Sequence, residues 1–195
     1  MTEVTSIHDH ATGHLRVIRD AMERAGAFTA LPGWAGVGMA LVAFVAGVGS
    51  AGAEPRDWVV TWLIAAAVAV PLGAVTLAYR ASSAGVDLST GVARRFVVTL
   101  SAPVVAGGVL TAAMILRDQF DLLPAVWLTL YGTGMLVASS YSTRLLQVAG
   151  AAVMALGAVA AFVPWEASTW LVVAGFGGMH LLTGLIVLVL DRRNS

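Results

Sequence analysis

The chain has 195 residues, of which 58% are hydrophobic and only 11% charged, with a mean hydropathy of +0.86 and a formal net charge of zero. An ordinary soluble domain carries about 25% charged residues, so lipid is the expected solvent, and with no excess of positive charge no nucleic-acid partner is expected. Cysteine is absent, which excludes disulfides, thiolate metal sites and cysteine nucleophiles.

Residues 1–29 read as a cytoplasmic tail and an interfacial helix ahead of a membrane domain over 30–195. The tail "SIHDHATGH" holds His8, Asp9, His10 and His14. His10 and His14 are four apart, a spacing that suits a metal if His8 or Asp9 folds back, but Gly13 lies between them and a solvated tail is the simpler reading. We therefore expect no metal and no cofactor. In "ATGHLRVIRDAMERAGAF" Leu15, Ile18, Met22, Ala25 and Phe28 form one apolar stripe, opposite Arg16, Asp20, Arg19, Glu23 and Arg24 spaced for i to i+4 pairing. The pattern predicts an amphipathic helix lying on the membrane surface, or alternatively docked on a protein partner or a second copy. No cleavable signal peptide is evident, because the first apolar run starts late and is too long for a signal core.

Six charge-free runs follow, each longer than the ~18–20 residues that cover ~30 Å of hydrocarbon. They predict an all-α membrane protein, a bundle of six transmembrane helices over about 31–51, 58–79, 96–116, 122–141, 145–162 and 168–190. The runs are continuously apolar, which argues for helices over a barrel. Most connections are short, so consecutive helices should be antiparallel neighbours; the one from Arg80 to Arg95 is long enough for a small surface element. With the N-terminus inside, nine arginines (16, 19, 24, 80, 94, 95, 144, 192 and 193) face the cytoplasm and only Arg56 and Arg117 face out. This distribution places both termini in the cytoplasm. All eleven cations are arginines, which fits a GC-rich bacterial genome. Trp58, Trp62, Trp127, Trp165 and Trp170 then fall near the outer interface, and Trp34, Tyr79 and Tyr141 near the inner one, as an aromatic belt would.

Within the spans, small residues mark helix contacts. The fifth run offers Ala151 with Ala155 and Gly157 with Ala161, which predicts a central helix. Pro71 and Pro103 sit inside spans and remove a backbone hydrogen bond each, bends that can open a cavity. Glu166, Asp118 and Asp121 belong to the outer interface, too shallow to act as an intramembrane ion ligand.

His180, in "GFGGMHLLTG", stands near the middle of the last run, with Gly177, Gly184 and Thr183 on its helical face. A face of small residues is one that another helix approaches, so His180 is expected inside the bundle. Tyr131, Thr133, Gly107 and Gly108 lie at matching depth. A neutral ring bonded to Tyr131 or Thr133 would tie two helices together. The alternatives are a transport or proton path, and haem ligation, which lacks a second histidine in the spans.

"IRDAMERAGAFTALPGWAGVGMALVAFVA", "LPAVWLTLYGTGMLVASSYSTR" and "AGFGGMHLLTGLIVL" resemble segments of an uncharacterised family of small bacterial six-span membrane proteins. The resemblance implies that architecture and a location in the bacterial cytoplasmic (inner) membrane, and assigns no catalytic residue. Two functional classes follow from the chain. One is a non-catalytic scaffold, sensor or accessory subunit, meeting a protein partner or a second copy through the N-terminal helix or its small-residue faces. The other is a small oligomeric transporter or channel with a polar path near His180, Tyr131, Thr133 and Thr183. An enzyme ranks below both, since no depth brings an acid, a base and a nucleophile together.

Overall fold

The computed structural model describes residues 32–193, so the histidine-bearing tail and the amphipathic helix expected after it lie outside the described residues. All regular structure within that range is helical. The helices are α1 (Gly33–Gly49), α2 (Pro55–Ser83), α3 (Gly91–Ile115), α4 (Leu123–Ala138), α5 (Arg144–Ala160) and α6 (Trp165–Arg193). A single 3-10 turn, Ser139–Tyr141, extends α4.

Helices α2, α3 and α6 contain 29, 25 and 29 residues and are long and apolar enough to cross a membrane. By contrast, α1, α4 and α5 contain 17, 16 and 17. At ~1.5 Å per residue these reach about 24–26 Å, roughly a turn short of the length expected for every span. Both departures have a local cause. The expected spans stop at charges, whereas α2 starts at Pro55, carries Arg56 and Asp57 in its first turn and runs on past Arg80. Charged side chains at helix ends cost little, because they extend away from the apolar stretch. In α1 the limit is a turn: Ser50 Oγ donates to Ala46 O at 2.7 Å, and Gly52 then takes φ +72°, a conformation open to glycine.

Gly33 and Gly36 of α1 lie against Gly184 of α6, and Gly47 lies against Val173, so these helices run antiparallel. Likewise Gly132 of α4 meets Gly150 and Met154 of α5, while Gly157 meets Thr129, and Gly134 meets Pro103 of α3. The α4–α5 pair makes the most extensive helix–helix contact among the described residues. One expected adjacency fails: α2 lies on α1 and α3 on α4, and α2 and α3 diverge from their shared connection. That connection, residues 84–90, carries no element of its own. It is a turn in which Asp87 Oδ1 accepts from the Ser89 amide and hydroxyl at 2.8 and 2.7 Å. Those two bonds, the hydroxyl's first, hold the Asp87 carboxyl below its ordinary value of 3.8.

The interior combines large side chains, among them Trp58, Phe96, Leu123 and Leu128, with many small ones, Ala35, Ala40, Ala43, Ala46, Ala149 and glycines, while Leu41, Val45, Val48, Ile64, Val75, Val105 and Val109 point outward. Small residues let backbones approach closely at the helix contacts, and the exposed aliphatic side chains leave the outside of the fold apolar. The small pairs expected on α5 are corrected: Ala151, Ala155 and Ala161 are exposed, and the contact face is Ala149, Gly150, Val153, Gly157 and Ala160.

A Cβ on Gly184 would come within 2.7 Å of Gly33 O and 2.9 Å of Val37 N, backbone atoms that cannot yield without moving α1. Gly108 has nothing within 4 Å. Gly184→Ala should therefore cost about 1–3 kcal/mol of overpacking, whereas Gly108→Ala should be neutral or stabilising by up to about 1 kcal/mol. Thermal unfolding of the two variants in one detergent checks this, and equal midpoints would refute the contact.

Candidate functional site

His180 is 8% exposed and lies in α6 directly after a π-helical segment, Val173–Gly178. Glycine lowers helix propensity at Gly175, Gly177 and Gly178, and a widened turn there brings Gly175 against Leu128 and Gly177 against Phe44. Neither the widened turn nor its register is visible in an apolar run read as an even helix. The segment also sets Phe176 O where His180 Nδ1 reaches it at 2.7 Å. A carbonyl only accepts, so Nδ1 carries the hydrogen. The neutral ring then offers Nε2 as an acceptor, and Tyr131 Oη of α4, 2.8 Å away, donates to it. The two rings also stack, with centroids 5.6 Å apart and planes at 25°.

The other candidates stand apart from this pair. Thr133 Oγ1 donates to Thr129 O at 2.7 Å and faces Met154 Sδ of α5 at 3.6 Å. Thr183 Oγ1 donates back to Met179 O at 2.8 Å. Gly107 packs towards Leu130, and Gly108 is open. His8, His10 and His14 lie outside the described residues, and among those described no group of three His, Cys, Asp or Glu side chains converges on a metal position. A metal at His180 Nε2 would have to displace Tyr131.

The aromatic residues were expected as a belt, and the structure divides them. Trp34, Tyr79 and Trp170 are more than half exposed, as belt residues are. Trp58 and Trp62, at 2% and 5% exposure, are instead core. Trp58 stacks on Trp127 at 5.3 Å and stands T-shaped to Trp165 at 5.0 Å. From Trp58 the contacts continue through Trp62 at 5.6 Å, Phe176 at 6.2 Å and Tyr131 at 5.3 Å to His180. The i, i+4, i+7 spacing of Trp58, Trp62 and Ala65 is the pattern in the chain that marks them as one inward face. Trp127 Nε1 donates to the buried Thr111 Oγ1 at 2.8 Å. Trp62 Nε1 is buried and has no partner among the described residues.

At the Trp58 end the rings border a cavity of about 430 Å³. It is walled by Trp58, Trp165 and Trp170, with Glu54, Asp121 and Glu166 around it. Neither Pro71 nor Pro103 lines it, so this cavity does not arise from the proline bends expected in α2 and α3. Comparison with protein-family models, with curated proteins and with solved structures finds no match to this chain, so its function is argued from its own residues.

Removing the Tyr131 hydroxyl leaves a buried imidazole nitrogen without a donor, at a cost of about 1–3 kcal/mol. Tyr131→Phe and His180→Gln should each destabilise, while the double variant loses less than their sum by about 0.5–2 kcal/mol. Equilibrium unfolding of the four proteins gives that coupling, and strict additivity would mean the pair is not formed.

Proposed function

We propose that this chain is a multi-pass protein of a bacterial cytoplasmic membrane, with all six helices crossing and both termini inside. In this reading it serves as a non-catalytic scaffold, sensor or accessory subunit of a membrane complex. The outward aliphatic faces support residence in lipid, and the arginine distribution supports the orientation. The three short helices are compatible with crossing where local thinning or flanking interfacial residues absorb a few ångströms of mismatch.

One observation carries the non-catalytic reading: both nitrogens of His180 are committed to protein partners, Phe176 O and Tyr131 Oη. An ionisable side chain so occupied is built as an interhelical tie between α4 and α6, and a proton carrier would need one nitrogen facing water or a second relay group. A transport path is the second reading, favoured by the cavity at one end of the fold. It has an obstacle in the packed rings of Trp62 and Phe176, which stand in the ring series between the cavity wall and the Tyr131–His180 pair.

Because the chain lacks cysteine, single cysteines report topology without background. Residues 51, 119 and 162 should react with an impermeant maleimide in intact cells, and residues 83, 140 and 192 only after permeabilisation. Labelling of 51 and 119 from opposite sides would refute the six-crossing arrangement. For the second reading, proteoliposomes loaded with a pH-sensitive dye should leak protons no faster than protein-free vesicles. A protein-dependent flux abolished by His180→Gln would replace the scaffold reading with a proton path.

A further inference from the structure

The cavity at the Trp58 end has a chemistry of its own. Among its lining residues three are acidic, Glu54, Asp121 and Glu166, and none is basic. The bias extends to that whole end of the fold. Across the connections and helix ends there, Glu54, Asp57, Asp118, Asp121 and Glu166 face only Arg56 and Arg117, five acids against two arginines. Arg56 is further engaged with Asp118 at 3.4 Å, on the exposed surface. Negative charge around a concave, partly apolar wall concentrates cations there.

The form of that cation follows from what surrounds it. Although three carboxylates border the cavity, no three such groups among the described residues converge as they would around one hard metal ion. Beside them, among mostly small lining residues, stand the indole rings of Trp58, Trp165 and Trp170, and indole is the side chain whose face attracts an organic ammonium best, within about 6 Å of its centroid. A diffuse charge such as a substituted ammonium fits walls of this kind, and about 430 Å³ is within the range of small-molecule sites.

A second, independent observation concerns Trp58. It is 2% exposed and lines the cavity. Its neighbours across the ring are other aromatics, Trp62, Trp127 and Trp165, whose rings supply no carbonyl or carboxylate. No described residue accepts a hydrogen bond from its indole N–H, and, unlike that of Trp62, this nitrogen is not sealed from all accessible space. Buried indole N–H groups ordinarily find an acceptor, and Trp58 is one of the residues that line the cavity.

We infer that this cavity is a binding site for a small organic cation that carries a substituted ammonium and a hydrogen-bond acceptor, the ammonium held by Glu54, Asp121, Glu166 and the indole faces of Trp165 and Trp170, the acceptor by Trp58. The inference stands whether or not the chain is a subunit of a larger complex, and it needs neither the Tyr131–His180 pair nor a particular membrane orientation.

Choline has both features, and 3,3-dimethylbutan-1-ol is its uncharged isostere with the same hydroxyl. The purified full chain in nanodiscs is titrated with each, followed by tryptophan fluorescence and by calorimetry. Choline should give a saturable response, and the isostere should bind at least about 10-fold more weakly. The three carboxylates are exposed, so the triple variant Glu54→Gln, Asp121→Asn, Glu166→Gln should fold normally by circular dichroism and lose at least about 10-fold in choline affinity. Trp170→Ala, also at an exposed position, should lose about 2- to 5-fold, the value of one cation–π contact of about 0.5–1 kcal/mol. The inference is overturned by no saturable response to choline, by equal responses to choline and the isostere, or by undiminished affinity in the triple variant.

Discussion

The fold depends on close approach of backbones at glycine. Where α1 crosses α6, Gly33, Gly36 and Gly184 bring main-chain atoms within the distance a single Cβ would occupy, and Gly132 and Gly150 do the same between α4 and α5. Helices in an apolar medium gain little from burying one more leucine, so dispersion between closely fitted backbones has to hold them. That requirement explains why alanine and glycine occupy the helix crossings while many leucines and valines are left on the outside. It also sets the position of everything polar. The α1–α6 crossing places His180 O against Gly36, and the ring on the same turn reaches across to α4.

Much of this arrangement can be read from the residues, and what cannot has a physical reason. Long apolar runs declare helices because charge is excluded from the middle of a hydrophobic segment. They are poor markers of helix ends, where Arg56, Asp57, Arg94 and Arg95 are accommodated in the first two turns of α2 and α3. Small-residue spacing shows that α5 packs, but alanine is common on every face of it. The choice of Gly150, Val153 and Gly157 over Ala151 and Ala155 is made by the fit to α4. The divergence of α2 from α3 leaves no mark either, since it reflects what each of them packs on and not the seven-residue turn between them.

The candidate site divides in the same way. Depth and the glycine-rich face place His180 inside, and two partners of equal depth, Tyr131 and Thr133, are indistinguishable along the chain. The α4–α5 contact decides between them: it turns Thr133 towards Met154 and so leaves Tyr131 on the α6 side. The π-helical segment is invisible to any pattern with a period near 3.6, yet it sets the carbonyl that fixes the tautomer of His180. The burial of Trp58 and Trp62 is a third case. Tryptophan near a span end reads as belt, and only its recurrence at four residues, in line with Ala65, distinguishes a packed face from a lipid-facing one.

These elements give the proposed functions a common geometry. The packed rings from Trp58 to Tyr131 join the cavity at the Trp58 end to the α4–α6 tie as one continuous set of contacts across α2, α4 and α6. Close-packed interiors change between discrete arrangements and do not deform by degrees. A ligand that draws Trp58 or Trp165 towards the cavity must therefore either leave the set unchanged or repack it as far as Phe176, whose carbonyl holds His180. Under the first alternative the cavity is a site independent of the tie, and under the second its occupancy alters the fit of α6 against α4. Only the second couples a signal at one end of the helices to their mutual packing. The hydrogen bond between Tyr131 and His180 is the polar contact on which the two alternatives differ.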